Sequence, residues 1–529
     1  MGLFSSPAKV YKPAAEVDLG PGSDEHYISP NVRAPRVAGL LVKLLAWVLE
    51  TPVLGWIVLT VLKRDNLVYK LVSDAEIPEP PLFTATHTWR DIPEKNVRRT
   101  KPGSSPAERV QEAVSCLPAR LPAPGGGPAS GFRRWTVRDF HRAYSSGQTT
   151  PAMVARRFLT AVKECSDLKM AVFISCDAAD VMRQAEDSTR RYQQGAPLSA
   201  MDGVLVAVKD ELDCLPYPTT GSVRMPAALC GVVGFKPTAG RLSNAGLLPL
   251  NWTVGMPGIL AATVEDALIA YAAIVDQSKP SPLQQPELNL PLLTCTRSIS
   301  NIKLAKYAKW FDDSSEDIRN LCGKALQMLK AQYGWETVEV TVPEIEEMRL
   351  AHYVTMGSEC TASLAKYLDN MSRSEIGWDV RIGLSAYRSF SSRDYLNAQR
   401  LRCRQMYFHE RIFEAADAIV TPMTGVTAYP LQDDALSTGE LDYINGAALV
   451  RYSIAGNFLG LPAITVPVGH DGGGLPVGLQ LVGRPWSEAT LLHLAHAVQE
   501  ACWEHRREPP KVHFDLLAPR QRLTTGLAP

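Results

Sequence analysis

Lys209 and Ser222 hold most of the reactive potential in this chain. Lys209 closes an apolar run over 203–209 (GVLVAVK). If Val206, Ala207 and Val208 bury its stem, desolvation lowers the ammonium pKa and yields a lysine able to act as a base. The alternative is a strand-end lysine that pairs with Asp210, Glu211 or Asp213 in solvent. Ser222 follows Thr219, Thr220 and Gly221. A glycine just before a hydroxyl admits close backbone approach, so N–H groups over 219–222 can face an oxyanion. The plain alternative is a turn serine. Asp210, Glu211 and Asp213 read as a solvated loop, since no apolar pocket surrounds them. His493 and His496 lie three apart on a helical pattern, without a third ligand and without an HExxH. They read as packed or helix-surface histidines, and no metal is expected.

Both reactive residues need a frame. Residues 203–209 read as a buried strand and 170–175 as another, with a polar-faced helix over 178–194 between them. Strand, helix, strand predicts parallel strands joined by crossover helices. Thr136 can cap a helix through Tyr144, and Thr150-Pro151 starts another that runs to about Glu164. Further strands are expected over 418–421, 463–468 and 477–482, with helices over 263–274 and 488–501. The expected fold class is α/β, a mixed, largely parallel twisted sheet covered by helices.

The first hundred residues differ. Apolar runs over 37–49 and 53–62 are separated by Glu50-Thr51-Pro52. Each is shorter than the roughly 20 residues a spanning helix needs, and Pro52 breaks them. Trp47 and Trp56 suit a headgroup boundary, and Arg33, Arg36, Lys63 and Arg64 suit anionic lipid. Two short helices dipping into one leaflet are expected, with a buried hairpin as the alternative. A spanning helix would put Glu50 and Pro52 in mid-bilayer. The opening Met1-Gly2-Leu3-Phe4-Ser5-Ser6 fits a myristoylation pattern. The domain reading is an N-terminal extension over 1–100, a flexible Pro/Gly-rich linker over 101–133, an α/β domain over 134–510 and a tail over 511–529. With 55 basic and 55 acidic residues the net charge is zero, which gives nucleic acid no electrostatic footprint. Ten scattered cysteines without a CxxC, and no secretory signal, fit reduced thiols in a protein that is not secreted.

Four longer stretches resemble one family. They are 202–209 (DGVLVAVK), 222–243 (SVRMPAALCGVVGFKPTAGRLS), 417–430 (DAIVTPMTGVTAYP) and 459–490 (LGLPAITVPVGHDGGGLPVGLQLVGRPWSEAT). These resemble the amidase-signature hydrolases. Residues 9–30 (KVYKPAAEVDLGPGSDEHYISP) and 62–83 (LKRDNLVYKLVSDAEIPEPPLF) resemble the leader of plant fatty acid amide hydrolases. The resemblance implies an amidase-signature fold with Ser222 as nucleophile and Lys209 as catalytic lysine. It implies an oxyanion cradle at Thr219, Thr220, Gly221 and Ser222, a structural role for Arg224, and no cofactor. The implied substrate is a long-chain acyl amide of the N-acylethanolamine type, cleaved to fatty acid and amine. The implied setting is a membrane surface met through 37–62, on the cytosolic side of the endoplasmic reticulum or plasma membrane. A homodimer is left open.

The resemblance also breaks in one place. The family's relay is Ser–Ser–Lys, and its bridging serine lies in a GGSSGGSA-type stretch that is absent here, as is the D-x-G-G loop before the nucleophile. Lys209 and Ser222 are 13 positions apart, with Pro216 and Pro218 between them. A parallel crossover takes a dozen or more residues before its second strand begins. An internal deletion between Thr219 and Ser222 is therefore expected, with an incomplete central sheet and lost or impaired activity. The alternatives are a non-catalytic lipid-binding or interaction protein on the same scaffold, and a soluble amidase of the tRNA-amidotransferase type.

Overall fold

The computed structural model describes residues 8–29, 36–85, 87, 93–119, 134–168, 170, 173–208, 222–248, 250–275, 286–294, 299–368, 373–432, 435–507, 509 and 514–517. At its centre lies a seven-stranded sheet. In chain order its strands are β1 (Val233–Lys236), β2 (Ile259–Ala261), β3 (Lys303–Lys306), β4 (Glu336–Glu339), β5 (Ala418–Pro422), β6 (Ala463–His470) and β7 (Pro476–Gly483). Their spatial order is β2-β1-β6-β7-β5-β3-β4. The β5/β3 and β3/β4 pairs are parallel, and the other four pairs are antiparallel. The sheet is thus mixed, and the expected parallel majority is not found among the described residues.

The period of two along each strand divides the core into two layers. Ala418, Val420, Ile464, Val466, Leu479 and Leu481 join one apolar cluster. Ile419, Ala463 and Val482 join the other. The first layer is closed by α3 (Pro106–Ser115), α8 (Val264–Ile274), α9 (Glu316–Tyr333) and α14 (Glu488–Ala501). The second is closed by α10 (Ile345–Leu368), α12 (Ser392–Ala415) and α13 (Ile454–Phe458). A sheet covered on both faces needs near-continuous apolar strands, which 463–468 and 477–482 supply.

The remaining labelled helices are α1 (Leu40–Glu50), α2 (Pro52–Asp65), α4 (Val137–Ser145), α5 (Pro151–Asp167), α6 (Ala178–Gln193), α7 (Arg224–Cys230) and α11 (Trp378–Arg388). The expected caps are present. Thr136, Thr150 and Thr263 each accept a hydrogen bond from the backbone N–H three residues on, with Pro151 at the first helical position of α5. The connector expected over 101–133 is helical over α3. Ser105 and Glu108 form a reciprocal capping box there, and Val110 and Ala113 are buried. The Pro/Gly composition hid that local signal.

Two expected strands are not strands over their described residues. Residues 204–208 have no strand pairing, and Val206, Ala207 and Val208 are exposed, Val206 at 67%. Residues 170 and 173–175 are likewise unpaired. A strand is stable only beside a partner, and no described strand lies beside either segment. The strand-helix-strand unit expected around α6 is therefore absent among the described residues.

The helices α1 and α2 form as expected, bent by 104° at the break, and no single described helix is long and apolar enough to cross a membrane. Val42, Ala46 and Leu49 pack against Ile382 and Leu441, so one face is docked on the body of the protein. Leu40, Leu41, Leu44, Trp47, Val53, Trp56 and Ile57 are exposed, so the pair is not a buried hairpin. Glu50 is held by Arg381 of α11 through Nε–Oε1 at 2.7 Å and Nη2–Oε2 at 2.5 Å. Three of the flanking basic residues are already engaged, Arg64 with Asp65 at 3.0 Å. Arg36 pairs with Glu440 at 2.6 Å and Asp442 at 3.0 Å, and Lys63 lies 3.6 Å from Asp394. Residues 1–7 and Arg33 lie outside the described residues, as do 518–529 of the tail. Within the tail, Leu517 packs on Ala143, Tyr144 and Val154. The eight cysteines among the described residues are free.

Candidate active site

Ser222 is exposed and directly precedes Val223, the residue at the head of α7. The helix lies unusually close to the sheet, and glycines make the room. A Cβ on Gly234 of β1 would stand 2.6 Å from Ala227 Cβ and 2.9 Å from Val223 O. One on Gly478 of β7 would meet Ala228 Cβ at 2.9 Å. The helix ends at Gly231, whose φ of +63 is the left-handed turn that glycine adopts without strain.

Arg224 anchors this helix from within. It is buried, and its Nη1 donates to Gln480 Oε1 at 2.6 Å while Nη2 donates to Ser453 O at 2.9 Å and to Asn457 Oδ1. Gln480 donates in turn to Thr421 Oγ1 at 3.0 Å and Tyr452 O at 2.8 Å. Every acceptor of Arg224 is neutral. Burial alone accordingly pulls its guanidinium down to about 9. The structural role expected for Arg224 is what the structure displays. The close approach extends to Gly456, where a Cβ would lie 2.6 Å from Arg224 Nη1.

Sequence reasoning passed over Lys236. It ends β1, is buried, and its Nζ donates to Pro237 O at 2.9 Å and to Met256 Sδ at 3.0 Å. Burial, reinforced by Arg224 and opposed by Glu488, pushes its ammonium well below the usual range. The available signal was an apolar strand ending in lysine, the same signal that singled out Lys209. Downstream, Thr238 N donates to Glu488 Oε1 at 2.9 Å, and Arg241 pairs with Glu488 at 3.3 Å. The segment after Ser222 is thereby tied to the start of α14. Lys209, Thr219, Thr220 and Gly221 lie outside the described residues, so the structure places the expected nucleophile but not the expected base or oxyanion cradle.

The Amidase family model matches residues 218–492, and so begins four positions before Ser222. The fatty acid amide hydrolases of Oryza sativa subsp. japonica and Arabidopsis thaliana are each 36% identical to this chain, over 96% of it and 99% of their own length. The chain belongs to the amidase-signature family. It is by family a hydrolase acting on amides, closely related to the plant fatty acid amide hydrolases. A glutamyl-tRNA(Gln) amidotransferase component from Microcystis aeruginosa is 31% identical over 58% of the chain and 67% of its own length, a shorter likeness. Among solved structures, a bacterial aryl acylamidase matches with a TM-score of 0.59 at 16% identity, over 73% of this chain and 99% of that one. A peptide amidase bound to chymostatin matches with 0.59 at 18% identity, over 70% and 98%. These two speak for the fold.

The match to the japonica protein runs over 610 positions, whereas 96% of 529 residues is about 508. About 100 positions of that relative therefore face no residue of this amidase-signature chain.

Proposed function

We propose that this chain is a membrane-associated fatty acid amide hydrolase that has lost an internal segment between Thr219 and Ser222, leaving hydrolysis lost or strongly impaired. The observation that carries the reading is the 13-position spacing of these residues, beside a relative with about 100 unmatched positions. The start of the family match at 218 and the unpaired, exposed valines at 206 and 208 support the same cut.

In the intact chemistry, Ser222 attacks the amide carbonyl of a long-chain acyl amide, N–H groups near Gly221 hold the oxyanion, and Lys209 moves the proton to the departing amine. Water then frees the fatty acid. Without a bridging hydroxyl Lys209 has to reach Ser222 directly, and losing one member of a catalytic set costs several powers of ten in rate. The exposed apolar face of α1 and α2 supports docking into one leaflet on the cytosolic side, where such a substrate partitions.

The missing relay also favours a second reading, a lipid-binding protein that keeps the scaffold without turnover. A fluorophosphonate probe separates an activated serine from an idle one. Negligible labelling at Ser222 is expected, with oleoylethanolamide still bound if the second reading holds. Rapid labelling at Ser222 would sink the proposal of a broken relay.

A further inference from the structure

We propose that Glu265, His496 and Glu500 form a binding site for one divalent metal ion of the zinc type, fastening α14 to α8 over the first face of the sheet. His496 and Glu500 are four apart on α14, so they share one helix face. Glu265 stands in the first turn of α8. One ligand atom from each lies within 4.8 Å of the other two. Glu265 and His496 are 2% and 3% exposed, and Glu500 is half-buried.

Glu265 Oε1 and His496 Nε2 face each other as an ion pair without a well-aligned hydrogen bond, and Glu500 Oε1 has no hydrogen-bond partner among the described residues. Buried polar atoms are rarely left this way. The first two are 3.3 Å apart. A protonated imidazole donating to a carboxylate closes to about 2.7–2.9 Å with an aligned N–H. By contrast, an N and an O bound to one tetrahedral zinc at about 2.0–2.2 Å stand roughly 3.4 Å from each other. The observed separation fits two ligands of a shared ion. Glu500, at the rim and within 4.8 Å of both, then has to swing inward to reach ligand distance.

The surroundings hold the ligands in aim. Glu265 Oε2 accepts from Gln499 Nε2 at 2.8 Å, which leaves Oε1 turned toward His496. Gln499 is itself fixed by Val264 N at 2.8 Å and Arg506 Nη2 at 3.2 Å. The local charge is rich in carboxylates. Burial together with Glu265 and Asp139 pushes the nearby Asp266 carboxyl up to about 7, and Arg506 is the cation that faces both glutamates. One imidazole and two carboxylates are a nitrogen and oxygen set suited to zinc, with a water in the fourth position. His493 and His496 are both packed, as one of the two expected readings had it; the carboxylates beside His496 come from a distant helix and from one turn further on.

The test uses the purified full chain in detergent, stripped with a chelator and titrated with zinc chloride, with cobalt(II) as a spectroscopic stand-in. One ion per chain, a raised Tm and an intense visible band of four-coordinate cobalt are expected. Glu500→Gln, at the rim, should fold and bind zinc at least about tenfold more weakly, and His496→Gln should abolish the cobalt band. Failure to retain zinc would overturn the proposal. So would zinc binding that both variants leave unchanged, since the ion would then sit elsewhere.

Discussion

Arg224 joins the start of α7 to buried Gln480 of β7 and to half-buried Ser453, just before α13, and Asn457 within it, and all three lose their donor if it is removed. Each stranded group costs about 1–3 kcal/mol. Arg224→Met is therefore expected to lower the urea midpoint by several kcal/mol of stability, with Arg224→Lys intermediate. An unchanged midpoint would show that the network does not hold the helix. Asp266 gives a pH prediction. Its carboxyl rises from 3.8 to about 7 on folding, chiefly through burial. The folded state thus keeps a proton that the unfolded chain has released. The stability this group contributes is present below about pH 4 and lost as pH rises toward 7. Asp266→Asn keeps the acceptor for Val137 N, 2.9 Å away. The variant should gain on the order of 1–4 kcal/mol relative to the parent between pH 4 and 8, measured by denaturation across that range. The structural role of Arg224 was legible in the sequence through the family-like run over 222–243. Lys236 and the Glu265–His496 contact were not, because their environments are assembled from segments hundreds of positions apart.

Among the elements, α1 and α2 present an apolar face to solvent, with Trp47 and Trp56 exposed at 61% and 68%. Burying each such side chain in lipid contributes about 1.5–3 kcal/mol. The double variant Trp47→Ala, Trp56→Ala should lose at least about tenfold in sedimentation with phosphatidylcholine vesicles, while its thermal unfolding stays that of the parent. Salt should matter little, because Arg36 and Lys63 are already paired within the protein. Undiminished sedimentation would move the membrane contact elsewhere. Elements with both a period and a cap were legible, as at Thr136, Thr150 and Thr263, and 488–501 was legible from its apolar period alone. Residues 203–209 have the composition of a central strand, yet no described strand lies beside 203–208, and composition cannot report whether a partner exists. The helix after Ser105 was missed for the opposite reason, a sound cap inside a proline-rich setting.

At the scale of the whole molecule, the sheet, its two helical layers and the docked N-terminal helices have assembled around a chain that is short of about 100 positions relative to its plant relative. The α/β class and three strands of the sheet follow from the sequence. The mixed strand directions did not, because direction depends on connections that local patterns do not encode. Under the proposed cut, the relay is lost while the helix after Ser222 stays anchored through Arg224, so the loss should appear in turnover more than in folding. The most direct measurement is oleoylethanolamide hydrolysis by this chain beside the same chain carrying the plant segment between residues 219 and 222, at equal folded concentration. Turnover at least about a thousandfold lower in the shorter chain is expected. Comparable turnover in both would contradict it.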